Sequence, residues 1–386
     1  MGDGKVRWDG TVVLADREHE DWSVVFDTKI TYVGPASTAP ESPGATGGYI
    51  LPGLVDVHTH GGGGESFPDA ETIEQVRIAA GEHLSQGTTT MLASTVTAPI
   101  PVLEERARLL AQAAGEGIIA GIHFEGPFLS EARCGAQDPR YLIPPNPRAM
   151  QSLMDAAGRW AKSMTLAPEF IDRESLDVLV EAGAIPSWGH TDSNALDARK
   201  AIEMGQEVLA AHRRASVTHL FNGMKPLHHR DTGPIGEFLS AAARGALVVE
   251  MICDGVHVDP LLIRSVVETV GRENCVFVTD SMAAAGLGDG LYSLGPQKVR
   301  VSDGVARLAE GDSIAGGTAR LIDCVRVAVQ KAHIPLVDAV WMASTQGANM
   351  FGWDDRGRIE KGLRADLVRV DANLRPLDVV RGGTRV

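Results

Sequence analysis

The stretch Leu54–Gly64, LVDVHTHGGGG, decides how the rest of the chain is read: an apolar β-rich run delivers two histidines one residue apart and gives way to four glycines. In an extended chain residues i and i+2 point to the same side, so His58 and His60 present both imidazoles to one place. The glycines behind them remove side-chain bulk where a metal and a substrate would approach the backbone. Such a run reads as a core strand ending at a site.

The chain repeats the grammar. Short apolar runs alternate with helical stretches such as AETIEQVRIAAGEHLSQG (70–87) and IPVLEERARLLAQAAGEG (100–117). Eight runs read as strands: GLVDV (53–57), TTTMLAS (88–94), IIAGIHF (118–124), KSMTLAP (162–168), AIPSWG (184–189), SVTHLF (216–221), LVVEMIC (247–253) and CVFVTD (275–280). Eight βα units predict an α/β fold, a (β/α)8 TIM-type barrel. A doubly wound open sheet is the other topology, but no GxGxxG turn follows the first strand.

Outward from the barrel the chain ends read differently. TVVLA, WSVVFD and KITYVG near the start, and ADLVRVD and LDVVRGG near the finish, are short strands; APESPGATGGY (39–49) reads as a Pro/Gly linker closing the first set. The ends are expected to pair into a small β-sandwich domain, residues 1–52 with 353–386, around a barrel spanning 53–352. The segment FLSEARCGAQDPRYLIPPNPRAM (128–150) is long for a βα connection and is expected to cover the barrel mouth.

Composition limits the partners. A formal net charge of −14 repels nucleic acid and anionic membranes, so neither is expected. No run is long and apolar enough to cross a bilayer, and the first residues, MGDGKVRWDG, lack a signal-like apolar segment, which predicts a cytoplasmic protein. The four cysteines, Cys134, Cys253, Cys275 and Cys324, form no CxxC pair, so any metal rests on histidine and carboxylate.

In a barrel of this kind the chemistry lies at the C-terminal strand ends. There the sequence places His58 and His60 (first strand), Glu125 (third), His190 (fifth), His219 (sixth), Asp254 and His257 (after the seventh) and Asp280 (eighth). Neutral imidazole with carboxylate is a ligand set for Zn²⁺ or Fe²⁺. Each residue also has an ordinary reading: Glu125 as a cap, His190 and His219 as hydrogen-bonded core histidines, Asp280 as the N-cap of SMAAAGL. Those readings do not explain why all fall on one rim.

Together, PGLVDVHTHGGGG (52–64), HFEGPFLS (123–130), GHTDS (189–193), THLFNGMKPLHHRDTGPIG (218–236), CDGVHVDP (253–260), VTDSMAAAG (278–286) and IAGGTARL (314–321) resemble the N-acetylglucosamine-6-phosphate deacetylases of the amidohydrolase superfamily, from about Ile50 to the final strands. The resemblance implies metal-dependent hydrolysis of the acetamide of N-acetylglucosamine 6-phosphate to glucosamine 6-phosphate and acetate. It implies a divalent metal held by Glu125, His190 and His219. His58 and His60 point to the branch with two ions per subunit, Zn first and Fe, Co or Mn as alternatives, with Glu125 bridging and Asp280 near the first ion.

Hydrolysis of an amide needs a group that accepts a proton from water and delivers it to the departing nitrogen, and Asp280 is the expected acid and base; by the same resemblance His257 faces the acetamide. Asn222, Gly223 and Arg230 bind the sugar phosphate, Ala136 and Gln137 on the long loop touch substrate, and Ile314, Ala315 and Gly316 line the sugar pocket. A homodimer is also implied. The other readings are a dihydroorotase- or hydantoinase-like cyclic amide hydrolase and a non-catalytic metal-binding barrel. Glu125 as bridge and the FNGMKPLHHR loop argue against the first, the presence of Asp280 against the second.

Overall fold

The computed structural model describes residues 4–311 and 313–386. Eight parallel strands form one sheet in chain order: β1 (Leu54–Thr59), β2 (Thr88–Ser94), β3 (Gly121–Glu125), β4 (Ala161–Leu166), β5 (Ile185–Trp188), β6 (Ala215–Val217), β7 (Leu247–Ile252) and β8 (Cys275–Val278). Just beyond β8 the chain bonds back to β1, Asp280 N to His58 O at 2.9 Å and His60 N to Ser281 O at 2.7 Å. The sheet is thereby closed into the (β/α)8 barrel, and the same two bonds fix Asp280 beside the histidine pair.

Eight helices follow the strands: α1 (Ile73–Ser85), α2 (Ile100–Gly115), α3 (Pro147–Ala157), α4 (Arg173–Glu181), α5 (Ala195–Val208), α6 (Gly233–Ala243), α7 (Pro260–Val270) and α8 (Leu321–Gln330). Local chemistry starts many of them. Thr72 and Gln75 form a capping box on α1, and Asn146, Asp172, Asn194 and Asp259 accept first-turn N–H groups of α3, α4, α5 and α7. Helix α5 lies tight on the barrel because Gly205 faces buried Trp188; a Cβ there would stand 3.2 Å from Trp188 Cζ2.

Both chain ends join one seven-stranded sheet, ordered Thr384–Arg385, Pro376–Arg381, Leu367–Val370, Gly44–Pro52, Val6–Val13, Glu18–Phe26 and Ile30–Pro35. Its core gathers Val24, Ile30, Ile50, Leu367 and Val380 around Trp8 and Phe26, whose rings meet edge to face at 5.2 Å. The supposed linker 39–49 is largely strand: Gly44–Pro52 pairs with Val6–Val13 on one side and Leu367–Val370 on the other. Backbone ladders need no side chains, so a Gly-rich segment can occupy the middle of a sheet when its neighbours supply the apolar core.

A second element escaped the sequence reading. Between β8 and α8, strands Gly290–Leu294, Gln297–Ser302 and Val305–Leu308 form an antiparallel sheet whose Leu294, Val299, Val301 and Ala306 pack on Val96, Met282, Ala284 and Ala315. Among the described residues no helix is long and apolar enough to cross a membrane.

Candidate metal centre and active site

His58 and Glu125 sit on β1 and β3, but three of the chemical residues do not sit on the strands themselves. His190, His219 and Asp280 each lie two residues past the end of β5, β6 and β8, with φ of +46°, +27° and +47°. Left-handed backbone at a non-glycine residue costs about 1–3 kcal/mol and persists where surrounding bonds hold it. These turns break the strands earlier than the runs SVTHLF and CVFVTD suggest and swing the side chains over the barrel mouth.

Glu125, at the end of β3, is the meeting point. Its Oε1 lies 3.0 Å from His190 Nε2, 2.9 Å from His219 Nε2 and 3.8 Å from His58 Nε2; its Oε2 lies 3.2 Å from His60 Nε2. His58 and His60 turn their Nε2 atoms to within 3.2 Å of each other, and Asp280 Oδ1 stands 3.5 and 3.1 Å from them. Two overlapping donor groups result, His58–His60–Glu125 and Glu125–His190–His219, all buried and sharing one carboxylate.

The donor chemistry fits a divalent cation. Four imidazoles and two carboxylates converge with their ligating atoms inward, and among the described residues no lysine or arginine lines the cavity above them. Among the described residues the buried Nδ1 atoms of His60 and His219 have no hydrogen-bond partner, so their rings are held by what Nε2 faces. Electrostatics agree. Burial opposes charge on His58, yet the carboxylates of Asp280, Glu250 and Glu125 push it up to about 10. Burial would likewise raise Glu125 and Asp280, but the imidazoles hold both below the usual carboxylate range. A site so rich in opposed donors binds protons when it holds no cation.

Neighbouring residues lock this arrangement. Gln137 spans from Thr97 N, accepted at 2.7 Å, to Glu125 Oε2, to which it donates at 2.7 Å. His190 Nδ1 donates to Arg133 O at 2.8 Å. Gly223, at φ +59°, packs on the same ring, where a Cβ would come within 2.8 Å of His190 Nδ1. Beneath the site the buried Asp56 carboxyl, pushed up to about 7 by burial, accepts from Thr279 Oγ1 at 2.6 Å and so ties β1 to the end of β8.

Above the donors opens a cavity of about 290 Å³. Of the sequence-derived residues, His60, Glu125, Ala136, Gln137, His190, His219, Asn222, Gly223, His257, Asp280, Ile314 and Gly316 line it. His58 is buried just below. Ala315 is fully buried behind its neighbours, and Arg230 is exposed on the rim loop outside the lining. Three lining residues went unread: Gly135, Ser313 and Leu294, the last supplied by the inserted sheet. The glycines at 61–64 also serve another purpose. They line no part of the cavity but form a hairpin with Glu65–Ser66 under His83, where a Cβ on Gly62 would meet His83 Nε2 at 2.9 Å.

His123 and His83 are fully buried and held below the usual imidazole range by burial, His123 between Ser94 and Thr165 hydroxyls. They belong to the packing. Cys134 lies on the long loop with its thiol pushed up by partial burial, and it is not among the lining residues.

This chain belongs to the amidohydrolase family, whose profile matches residues 49–386. Within that family its relatives are narrower. It is 31% identical to the N-acetylglucosamine-6-phosphate deacetylase of Lysinibacillus sphaericus over 97% of this chain and 95% of that one. It is 33% identical to the N-acetylgalactosamine-6-phosphate deacetylase of Shewanella sp. (strain ANA-3) over 86% and 82%. The structure of a point mutant of the Mycobacterium smegmatis N-acetyl-D-glucosamine-6-phosphate deacetylase, in complex with N-acetyl-D-glucosamine-6-phosphate, superposes with a TM-score of 0.92 at 35% identity, covering 99% of this chain and 98% of that one.

Proposed function

We propose that this protein hydrolyses the acetamide of N-acetylglucosamine 6-phosphate, releasing acetate and glucosamine 6-phosphate. The observation that carries the proposal is the Glu125 carboxylate shared by two histidine pairs at the floor of a cavity large enough for a sugar. Amide resonance makes the carbonyl a poor electrophile and the amine a poor leaving group, so the site must supply a nucleophile, a proton and a home for negative charge. His58, His60, Glu125, His190 and His219, with Asp280 close by, would hold two divalent ions, zinc first among the candidates. Such ions, when bound, lower the pKa of water and polarise the acetyl carbonyl.

The remaining steps belong to this chain's own side chains. Asp280 turns Oδ1 to the histidine pair, which leaves Oδ2 to take the proton of the attacking water and pass it to the departing nitrogen. His257 borders the cavity with Nδ1 bound to Asp254 Oδ2 at 2.7 Å, so Nε2 is the atom that donates to the developing oxyanion. Gln137 holds Glu125, and Ala136, Asn222, Gly223, Ile314 and Gly316 shape the sugar pocket. Arg230 on the rim meets the phosphate with the planar fork that suits it. The resemblance adds a homodimer to this reading, and a cytoplasmic location is proposed with it.

The test is acetate release from N-acetylglucosamine 6-phosphate by the purified protein, by protein stripped with chelator, and by stripped protein resupplied with Zn²⁺, Fe²⁺, Co²⁺ or Mn²⁺. The 4-epimer, N-acetylgalactosamine 6-phosphate, and a cyclic amide belong in the panel. No acetate from either sugar phosphate under any metal condition would refute the proposal.

A further inference from the structure

One buried carboxylate near the site has no part in the chemistry above. Glu250 lies in β7, in the apolar run LVVEMIC, and is 2% exposed. A buried carboxylate without donors costs several kcal/mol, so its partners are required by the fold. The structure gives it two, both on Oε2: His58 Nδ1 at 3.0 Å and the backbone N–H of His219 at 3.3 Å. Among the described residues no lysine or arginine pairs with it.

We infer that Glu250 is a positioning residue that fixes the tautomer and raises the basicity of His58, and thereby sets the affinity of the His58–His60–Glu125 position for its ion; the inference rests on the metal reading above. A carboxylate 3.0 Å from Nδ1 places the ring proton on Nδ1 and leaves the Nε2 lone pair facing His60 and Asp280. None of the other three imidazoles has this support. His190 Nδ1 uses the neutral carbonyl of Arg133, while among the described residues His60 and His219 Nδ1 have no partner. The bond from His219 N anchors the carboxylate itself, on the segment that carries the second donor group.

Glu250→Gln separates charge from shape, because the amide oxygen still accepts from both N–H groups. Metal-free wild type and E250Q are titrated with Zn²⁺ against a chromophoric chelator, the metal-free forms are melted, and the Co²⁺-loaded forms are compared by visible absorption. The expected result is a metal-free melting temperature near wild type, one ion bound as in wild type and one bound about 10–100-fold more weakly, with a changed Co²⁺ spectrum. Two wild-type binding steps in E250Q overturn the inference, as does equal weakening of both steps with a lowered melting temperature, which marks a merely structural role.

Should E250Q fail to fold, the Co²⁺-loaded wild type decides by proton NMR. A slowly exchanging, hyperfine-shifted imidazole N–H is expected from His58, and its absence overturns the inference. A wild type that takes up no ion refutes the metal reading itself and this inference with it.

Discussion

His257 donates its Nδ1 proton to Asp254 Oδ2 at 2.7 Å, and both side chains are almost fully buried. Burial works against charge on either group, yet each keeps the other ionised: the imidazole is raised above its usual range and the carboxylate is held below its own. A charged His257 is the better oxyanion donor, so activity is retained up to the raised value and lost as pH rises through it. Asp254→Asn leaves burial unopposed, and the alkaline limb of kcat is expected to move to lower pH. A limb that stays in place would show that His257 does not donate in its charged form.

The same pair contributes to stability in a defined window. The raised His257 stabilises fully below its unfolded value of about 6.5 and ceases to as pH rises through its folded one; the lowered Asp254 stabilises above about 3.9 and ceases to as pH falls through its folded one. The melting-temperature loss in D254N is therefore expected to be greatest between about pH 4 and 6.5 and to shrink on either side. A loss independent of pH would assign the effect to packing.

Asp280→Asn keeps the shape of the side chain but removes the acceptor that takes the proton. Turnover is expected to fall by roughly 10²–10⁴-fold with KM little changed, while metal content by elemental analysis stays near wild type because the five other donors remain. An unchanged kcat would remove Asp280 from the mechanism.

How much of this was legible follows from what each feature depends on. The barrel strands announce themselves because runs such as LVDV and CVFV are apolar and β-branched, and the rim residues because they stand at or near the ends of those runs. The left-handed turns at His190, His219 and Asp280 leave no compositional mark, since the surrounding bonds and not the residue type impose them. Gly44–Pro52 misled for the opposite reason: it is held by backbone pairing on both sides, while Pro and Gly advertise a loop. The inserted sheet from Gly290 to Leu308 was hidden by its alternating polar residues, which lie on an exposed outer face. Glu250 left a readable signal, a lone charge inside LVVEMIC, but its partner His58 lies 192 residues away and only the fold reveals it.

Gly223 is a place where one methyl group would disturb the donors. Gly223→Ala puts a Cβ 2.8 Å from His190 Nδ1 at a φ of +59°, a conformation that costs a side-chain-bearing residue about 1–3 kcal/mol. The ring must yield, losing its bond to Arg133 O and its aim at Glu125. Reduced metal content together with a lowered melting temperature is expected; a variant with full metal content would show that the ring has room to adjust.

Arg230 tests the substrate reading from outside the donor cluster. It is exposed on the rim, and among the described residues its guanidinium has no acidic partner, whereas nearby Lys225 is paired to Asp231 at 2.8 Å. A charge-assisted hydrogen bond to phosphate is worth about 1.5–3 kcal/mol, which converts to a rise of roughly 10–100-fold in KM on Arg230→Ala. Because the phosphate is held equally in the ground and transition states, kcat should change little. Unphosphorylated N-acetylglucosamine separates the causes: wild type and R230A should process it alike. An equal loss on both substrates would mean that Arg230 supports the loop and not the phosphate, and the cation that meets the substrate would have to be sought elsewhere on the rim.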